Sequence, residues 1–320
     1  MNAFPLGYLD AAGRRAATVL PLTWAVIVIS VLVSLVIAIV LWRAVTRGRL
    51  NGGAVETRSV PITRTGNGIR WIGIGLVISA VPLLVTLVWT MITLAHASGP
   101  PQDSALTLDV TPRQWWWEVR YPGNSPDEAF ATANEIHIPT GVPVLVRLHG
   151  GDVIHSFWVP KLTGKTDAIP GQTNLSWMQA DAPGRYRGQC TEFCGFQHAR
   201  MGFEVVAQPR DEFDRWRAQQ LKGASPAQSE GAQRGLQLVE YRCGLCHQVR
   251  GTSAGARSAP DLTHLMSRRT IAAGTLLNNS GNLAGWIQDP QGVKPGSLMP
   301  NQYLSARELN DVLAYLETLQ

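Results

Sequence analysis

Hydrophobic and polar positions change their period twice along this chain. From Val19 to Trp42 no residue is charged and most are apolar, which is enough to cross a bilayer as one helix. A second uncharged stretch runs from Trp71 to about Leu94, with Pro82 inside it, an interruption that membrane helices tolerate. From residue 105 the runs become short and rich in β-branched and aromatic residues. They lie at Leu106–Tyr121, Glu135–Ile138, Val142–His149, Val153–Val159, Gly184–Gln189 and Phe203–Ala207, punctuated by Pro, Gly, Asn and Asp. That spacing predicts an all-β sandwich. After Leu221 the stretch Lys-Gly-Ala-Ser-Pro-Ala-Gln-Ser reads as a short flexible linker. Helical patterns follow and close with a helix expected over Ser305–Leu319. The predicted organisation is a two-helix transmembrane hairpin in residues 1–100 (spans about 19–42 and 71–94), a β domain in 101–215, a linker in 216–228 and a helical domain in 229–320.

Charge sets the orientation of this hairpin. The 320 residues carry a net charge of +5, which on its face would suit a nucleic-acid partner. The excess is local: residues 1–100 hold a net +6, whereas residues 101–215 hold a net −4. The basic excess is therefore a membrane-flank feature, not a phosphate groove, and no nucleic-acid partner is expected. The connecting loop carries Arg43, Arg47, Arg49, Arg58, Arg64 and Arg70 against Glu56 alone. Basic loops stay in the cytoplasm, so both termini and everything after residue 95 are expected on the outer side. A cleaved signal peptide would need a shorter apolar run and small residues where Arg43 stands. A buried hairpin of a soluble protein fits the length poorly. The acidic middle region would suit a basic soluble partner.

All four cysteines fall in two short clusters, Cys190/Cys194 and Cys243/Cys246, which points to metal or cofactor attachment before disulfides. The first cluster reads Cys190-Thr-Glu192-Phe-Cys194-Gly-Phe-Gln-His198-Ala-Arg-Met201, and His155 stands upstream in Asp152-Val-Ile-His155-Ser-Phe-Trp. Two thiolates, two imidazoles and a thioether suit copper, with Met201 as a weak axial ligand. Cysteines this close can each bridge two copper ions, each ion then taking one His. Met201 would serve one ion and a backbone carbonyl, for which Glu192 is the candidate, the other. Cys190, Cys194, His198 and His155 would equally make a tetrahedral zinc site, which has no use for Met201. His149 and His137 read as ordinary strand residues. Consecutive strand residues face opposite ways, so at least one of Trp115, Trp116 and Trp117 belongs to the core.

The run Cys-x-Glu-x-Cys-x-x-x-His-x-x-Met resembles the copper A motif of cytochrome c oxidase subunit 2. The stretch Asp152–Asn174, with His155-Ser-Phe and Lys165-Thr-Asp-Ala-Ile-Pro-Gly-Gln-Thr-Asn174, is similar to that family, as is Gln114-Trp-Trp-Trp-Glu-Val-Arg-Tyr121. The resemblance covers about residues 10–215. It implies two spans followed by an outer, cupredoxin-like sandwich, with dinuclear copper A held by His155, Cys190, the Glu192 backbone oxygen, Cys194, His198 and Met201. It further implies that the Glu192 side chain helps bind magnesium at the interface with subunit 1, and that Trp115 receives electrons from a cytochrome c. The related subunit of quinol oxidases lacks the copper ligands, which this chain keeps. The family often has a carboxylate near the start of the second span, at the mouth of a proton-uptake path. Here Gly66-Asn-Gly-Ile-Arg70-Trp71 has no acid, which puts proton uptake through this subunit in doubt; Glu56 is a distant substitute.

Cys243-Gly-Leu-Cys246-His247 is the c-type heme attachment pattern: two thiols for thioethers to the heme vinyls and a His for the iron. A redox Cys-x-x-Cys needs no following His and sits near a βαβ pattern, absent here. Met266, His264 and Met299 are the candidates for the opposite axial ligand, and a Met there raises the heme potential. Resemblance to class I cytochromes c points to Met299 and to an all-α fold for this domain. Together the two resemblances match the caa-type oxidases of bacteria. They imply a subunit of the inner membrane that takes electrons from a cytochrome c and passes them through heme c and copper A to heme a of subunit 1, alongside subunit 3. Oxygen reduction and proton pumping would lie mainly in subunit 1. A membrane-anchored metal or heme carrier and the electron-input subunit of another terminal reductase are the competing functions. Co-purification with a multi-span subunit carrying hemes a would separate them.

Overall fold

The computed structural model describes residues 6–50, 68–100 and 104–320. Glu56, Arg58, Arg64 and Gly66, on which parts of the loop-charge and proton-uptake expectations fall, lie outside the described residues. The chain divides into two compact units, Ala17–Gly99 and the remainder.

The smaller unit consists of α1 (Arg14–Leu50) and α2 (Gly68–Ser98). Both are long and apolar enough to cross a membrane, and neither buries any of its apolar window, as a hairpin in a soluble core would have to. Pro21 and Pro82 lie within the two helices.

The larger unit opens on the β domain. Its strands are β1 (Leu106–Arg113), β2 (Trp116–Tyr121), β3 (Phe130–Ala133), β4 (Glu135–Pro139), β5 (Val144–His149), β6 (His155–Phe157), β7 (Thr166–Ala168), β8 (Thr173–Met178), β9 (Gly184–Gln189) and β10 (Gly202–Gln208). One sheet has the order β3-β2-β1-β5-β8, the other β4-β10-β9, and β6-β7 form a separate pair. Alternation puts one set of side chains inside: Val144, Val146 and Leu148 of β5 are fully buried, while Leu145, Arg147 and His149, which alternate with them, are half-buried on the other face. Leu108 and Val110 of β1 and Trp117 and Val119 of β2 complete the core between the sheets. The expected sandwich is present, with differences of detail. The run Leu106–Tyr121 is a hairpin, registered Asp109↔Arg120 to Arg113↔Trp116. Its turn residues, Gln114 and Trp115, carry none of the Gly, Asn or Pro that signals a turn. β3, β7 and β8 were not expected, because Phe-Ala-Thr-Ala and Thr-Asn-Leu-Ser-Trp-Met hold too few β-branched residues. The expected strand over Val153–Val159 shrinks to β6.

The chain's start also packs on this domain. The Ala12 N–H donates to Lys161 O at 2.8 Å and the Asp181 N–H to Ala12 O at 2.9 Å, while Lys161 pairs with Asp10.

Helix α3 (Arg210–Gln220) runs into the segment expected as a linker. Its Trp216 stacks on His137 at 4.0 Å and meets Tyr121 and Phe130 edge-on, so residues up to 220 belong to the β domain. What remains of the linker is tied down: the Ala224 N–H donates to Arg250 O at 2.8 Å. The helical domain follows with α4 (Glu230–Leu238), a small hairpin of β11 (Thr270–Ile271) and β12 (Leu276–Leu277), α5 (Ser280–Gln288), α6 (Pro290–Val293) and α7 (Ala306–Leu316). Ser229 caps α4, accepting from the Ala232 N–H, and Ser305 with Glu308 forms a capping box on α7. The two helices cross closely at Gly235, where a Cβ would lie 1.9 Å from Asp311 O. Val239, Leu283, Val312, Tyr315 and Leu316 fill the core beneath them.

Candidate functional site

The loop from Cys190 to Met201 joins β9 to β10, an antiparallel pair, and the Cys190 N–H donates to Met201 O across its base at 3.1 Å. Strand β6 brings His155 beneath it. Cys190 Sγ lies 3.8 Å from Cys194 Sγ, 3.9 Å from His155 Nδ1 and 3.3 Å from the Glu192 carbonyl oxygen. Cys194 Sγ lies 3.6 Å from His198 Nδ1 and 3.8 Å from Met201 Sδ. All six groups expected to bind copper therefore converge, and the two Cys, His155 and Met201 are buried. His155, Cys190 and Cys194 form a group compact enough to hold a metal. The inclusion of the thioether and of a carbonyl oxygen suits a copper pair rather than a four-ligand zinc site. Glycine is required at position 195: φ is +110°, and a Cβ would lie 3.0 Å from the Trp115 ring.

The contact with Cys194 holds the Cys190 thiol down to about 3, with burial opposing and His155 assisting. The same contact and burial push Cys194 up. Burial pulls the His155 imidazolium down, but Cys190 and the Asp152 carboxylate outweigh it and raise its pKa. Asp152 Oδ1 accepts from His155 Nε2 at 2.7 Å, which leaves Nδ1 facing the thiols.

In the helical domain, Cys243 closes the turn after α4, and the His247 N–H donates to Cys243 O at 2.8 Å. His247 Nδ1 donates to Pro260 O at 2.7 Å, which fixes the tautomer and leaves Nε2 free for iron. Burial lowers the His247 pKa, favouring the neutral ligand form, and pushes the Cys243 thiol up to about 11. Two free thiols and a neutral imidazole in this order fit a covalent heme. Tyr241, Leu245, Leu298 and Tyr303, which flank the candidate ligands in sequence, are exposed apolar side chains of the kind a porphyrin would cover. His264 has backbone carbonyls on both ring nitrogens, Gln320 O and Lys222 O. Met266 packs on the domain core. Met299 sits outside that core, on a loop braced by Gln291, whose Nε2 donates to Met299 O at 2.8 Å.

Comparison with known proteins agrees with both halves. Residues 123–208 match the family described as cytochrome C oxidase subunit II, periplasmic domain, and residues 232–320 match cytochrome c. A cytochrome c oxidase subunit 2 from Alkalihalophilus pseudofirmus is 34% identical over 98% of this chain and 90% of its own length. The chain belongs to the cytochrome c oxidase subunit 2 family. The subunit 2 of Bacillus subtilis is 31% identical over 85% of this chain and 80% of its own length. The crystal structure of the periplasmic domain of subunit II from Bradyrhizobium japonicum is 31% identical, covers 38% of this chain and 96% of that chain, and has a TM-score of 0.36. The chain is thus a subunit of a cytochrome c oxidase complex, with a cytochrome c domain fused at its C-terminal end.

Around the Cys190–Met201 loop of this subunit 2 the expected tryptophan core is Trp117, fully buried, with its ring centroid 4.9 Å from that of Phe203 and 5.8 Å from that of Phe157. Trp115 is 8% exposed, and its Nε1 donates to Cys194 O at 2.9 Å. His149 and His137 are ordinary strand residues, bonded to Thr173 and Asp109 and to Gln208 and Glu135. The Glu192 carboxylate accepts from Lys165 Nζ at 2.9 Å. Sequence reasoning missed Asp152 and Gln114 as parts of the pocket. Gln114 Nε2 donates to Cys194 O at 2.7 Å, and its N–H donates to Asp152 Oδ2 at 2.6 Å. The only signal for either was its place in a stretch resembling the family.

Proposed function

We propose that this subunit is the electron-input arm of a heme–copper oxidase. Its cytochrome domain would carry heme c on Cys243, Cys246 and His247 with Met299 opposite. Its sandwich would carry copper A on His155, Cys190, the Glu192 carbonyl, Cys194, His198 and Met201. Bound there, the two cofactors would supply one-electron carriers between a donor cytochrome c and heme a of subunit 1, where oxygen reduction is coupled to proton translocation. The observation that carries the reading is the convergence of five soft and borderline donors and one carbonyl oxygen, from two distant segments, into one largely buried pocket. The chain's part is to hold those donors rigidly: Asp152 orients His155, and backbone bonds close the loop on itself, so the ligands need little rearrangement when charge changes.

The Arg-rich connection favours a cytoplasmic loop with both termini outside. The packing of residues 10–15 on the sandwich supports placing the N-terminus on the same side as the redox domains. Association with subunit 1 follows from the family; subunit 3 would complete the complex. Magnesium binding by Glu192 would require its carboxylate to exchange Lys165 for the cation. The test is metal analysis with electron paramagnetic resonance on the full chain in detergent. One unpaired electron shared equally by two copper nuclei, plus one covalent heme per chain, is the expected result. Zinc with no copper signal would overturn the copper assignment and leave a membrane-tethered cytochrome.

A further inference from the structure

The cytochrome domain sits directly on the copper loop through one short segment, residues 293–296, which precedes Met299 by only a few positions. Gln197 Nε2, between the copper-loop residues Cys194 and His198, donates to Pro295 O at 2.7 Å. The Arg200 guanidinium donates to Val293 O. Lys294 is 3% exposed, and its Nζ donates to Trp115 O at 2.9 Å and reaches Ala272 O at 3.4 Å. A Cβ on Gly296 would lie 3.8 Å from the Phe196 ring and 3.9 Å from the Trp115 ring. Trp115 is thus held from both sides, its indole N–H on the copper loop and its carbonyl on the cytochrome domain. The contact is reinforced where the copper loop ends: the Gly202 N–H donates to Ala273 O at 3.1 Å, and Arg269 pairs with Glu204 at 3.2 Å. Gln291 ties the loop to the same turn, donating to Ser297 O and accepting from the Gly296 N–H.

A buried lysine is costly to desolvate, and a side chain serving only solubility would stay in water. We propose that Lys294 is the positioning residue of an intramolecular clamp that seats the fused cytochrome on the copper loop and reserves Trp115 for the chain's own cytochrome domain. A soluble donor then meets the cytochrome domain, while Trp115 stays covered. This rests on the reading of the two sites as heme and copper centres, but the clamp itself is a contact between domains and can be measured without them.

The experiment uses the full chain in detergent, as wild type, Lys294→Met and Lys294→Glu, with Gln197→Ala as a milder second probe. Hydrogen exchange is followed at the Gly202 amide, which bonds across the interface, and hydroxyl-radical labelling at Trp115. Copper resonance and heme absorption report whether each domain is intact. Losing the buried hydrogen bonds of Lys294 should speed Gly202 exchange roughly tenfold or more and raise Trp115 labelling, with Lys294→Glu exceeding Lys294→Met. Heme-to-copper electron equilibration should slow in the same order while both spectra stay unchanged. Wild-type exchange and labelling in both lysine variants would overturn the clamp. If a lysine variant loses its spectra, Gln197→Ala decides by the same two readouts. Absence of copper signal in the wild type would instead overturn the functional reading, and the exchange result would still decide the clamp.

Discussion

Asp152 organises the proposed copper pocket although it offers no ligand atom. One carboxylate oxygen accepts from His155 Nε2 and the Val153 N–H, both at 2.7 Å, and the other from the Gln114 N–H at 2.6 Å. A single acid thus orients a ligand and ties β6 to the hairpin turn that carries Trp115. Replacing it by Asn keeps the shape but puts an amide where His155 needs a charged acceptor. We expect Asp152→Asn to bind copper about 10- to 100-fold more weakly, the usual effect of losing such a partner, measured by copper retention against a chelator of known strength. The proposed axial ligand of the heme is equally a matter of single residues. Met299→Ala should abolish the sulfur-to-iron absorption band, whereas Met266→Leu should leave it intact, since Met266 already packs in the core. The candidate ligands could be named from the sequence because chemistry restricts such patterns: few arrangements other than metal or heme sites use Cys-x-x-x-Cys with a His and Met beyond it, or Cys-x-x-Cys-His. Asp152 was not legible in the same way, since an acid three residues before a His is commonplace and its role exists only once the chain has folded.

Elements were legible where one residue type enforces them. Two uncharged stretches announced α1 and α2, and the closing helix expected over Ser305–Leu319 is present as α7. The turn at Gln114–Trp115 was hidden because it is held by tertiary bonds to Asp152 and Cys194 rather than by turn-forming residues. The reach of α3 was hidden for a related reason: its sequence is mostly charged, and its aromatic anchors on the sandwich are just Phe213 and Trp216 among the described residues. The crossing of α4 and α7 shows how an element contact can depend on the absence of a side chain. With Asp311 O at 1.9 Å from the place of a Cβ, Gly235→Ala must push the helices apart despite its better helix propensity. We expect a loss of about 1–3 kcal/mol, the usual cost of overpacking, seen as a lower melting temperature of the heme absorption. Unchanged melting would mean that the two helices can slide past one another at no cost.

At the scale of the whole molecule, the β and cytochrome domains meet across buried charge. Glu135 on β4 is 6% exposed and accepts from His137 Nε2 at 2.8 Å and, from the cytochrome domain, from the Arg269 N–H at 3.3 Å; Arg185 lies 3.7 Å away. Burial alone would raise its pKa, but His137, Arg185 and the Arg269 amide together hold it below the ordinary value of 4.5. A carboxylate depressed in the folded state binds protons less tightly there than in the unfolded chain. Its contribution to stability is therefore complete above pH 4.5 and drains away as pH falls through its lower folded value. Other paired acids, Asp109 and Asp311 among them, are depressed as well, so acid weakening of the wild type does not by itself identify Glu135. The difference between wild type and Glu135→Gln does. Melting followed from pH 7 downward should show the variant less stable at neutral pH, and the gap should close in acid as the wild-type carboxylate becomes protonated. Exchange at the Arg269 amide should follow the same course, because that bond spans the two domains. A gap that stayed constant from neutral pH into acid would mean that Glu135 acts through its shape rather than its charge, and the domain contact would then owe its acid sensitivity to other groups.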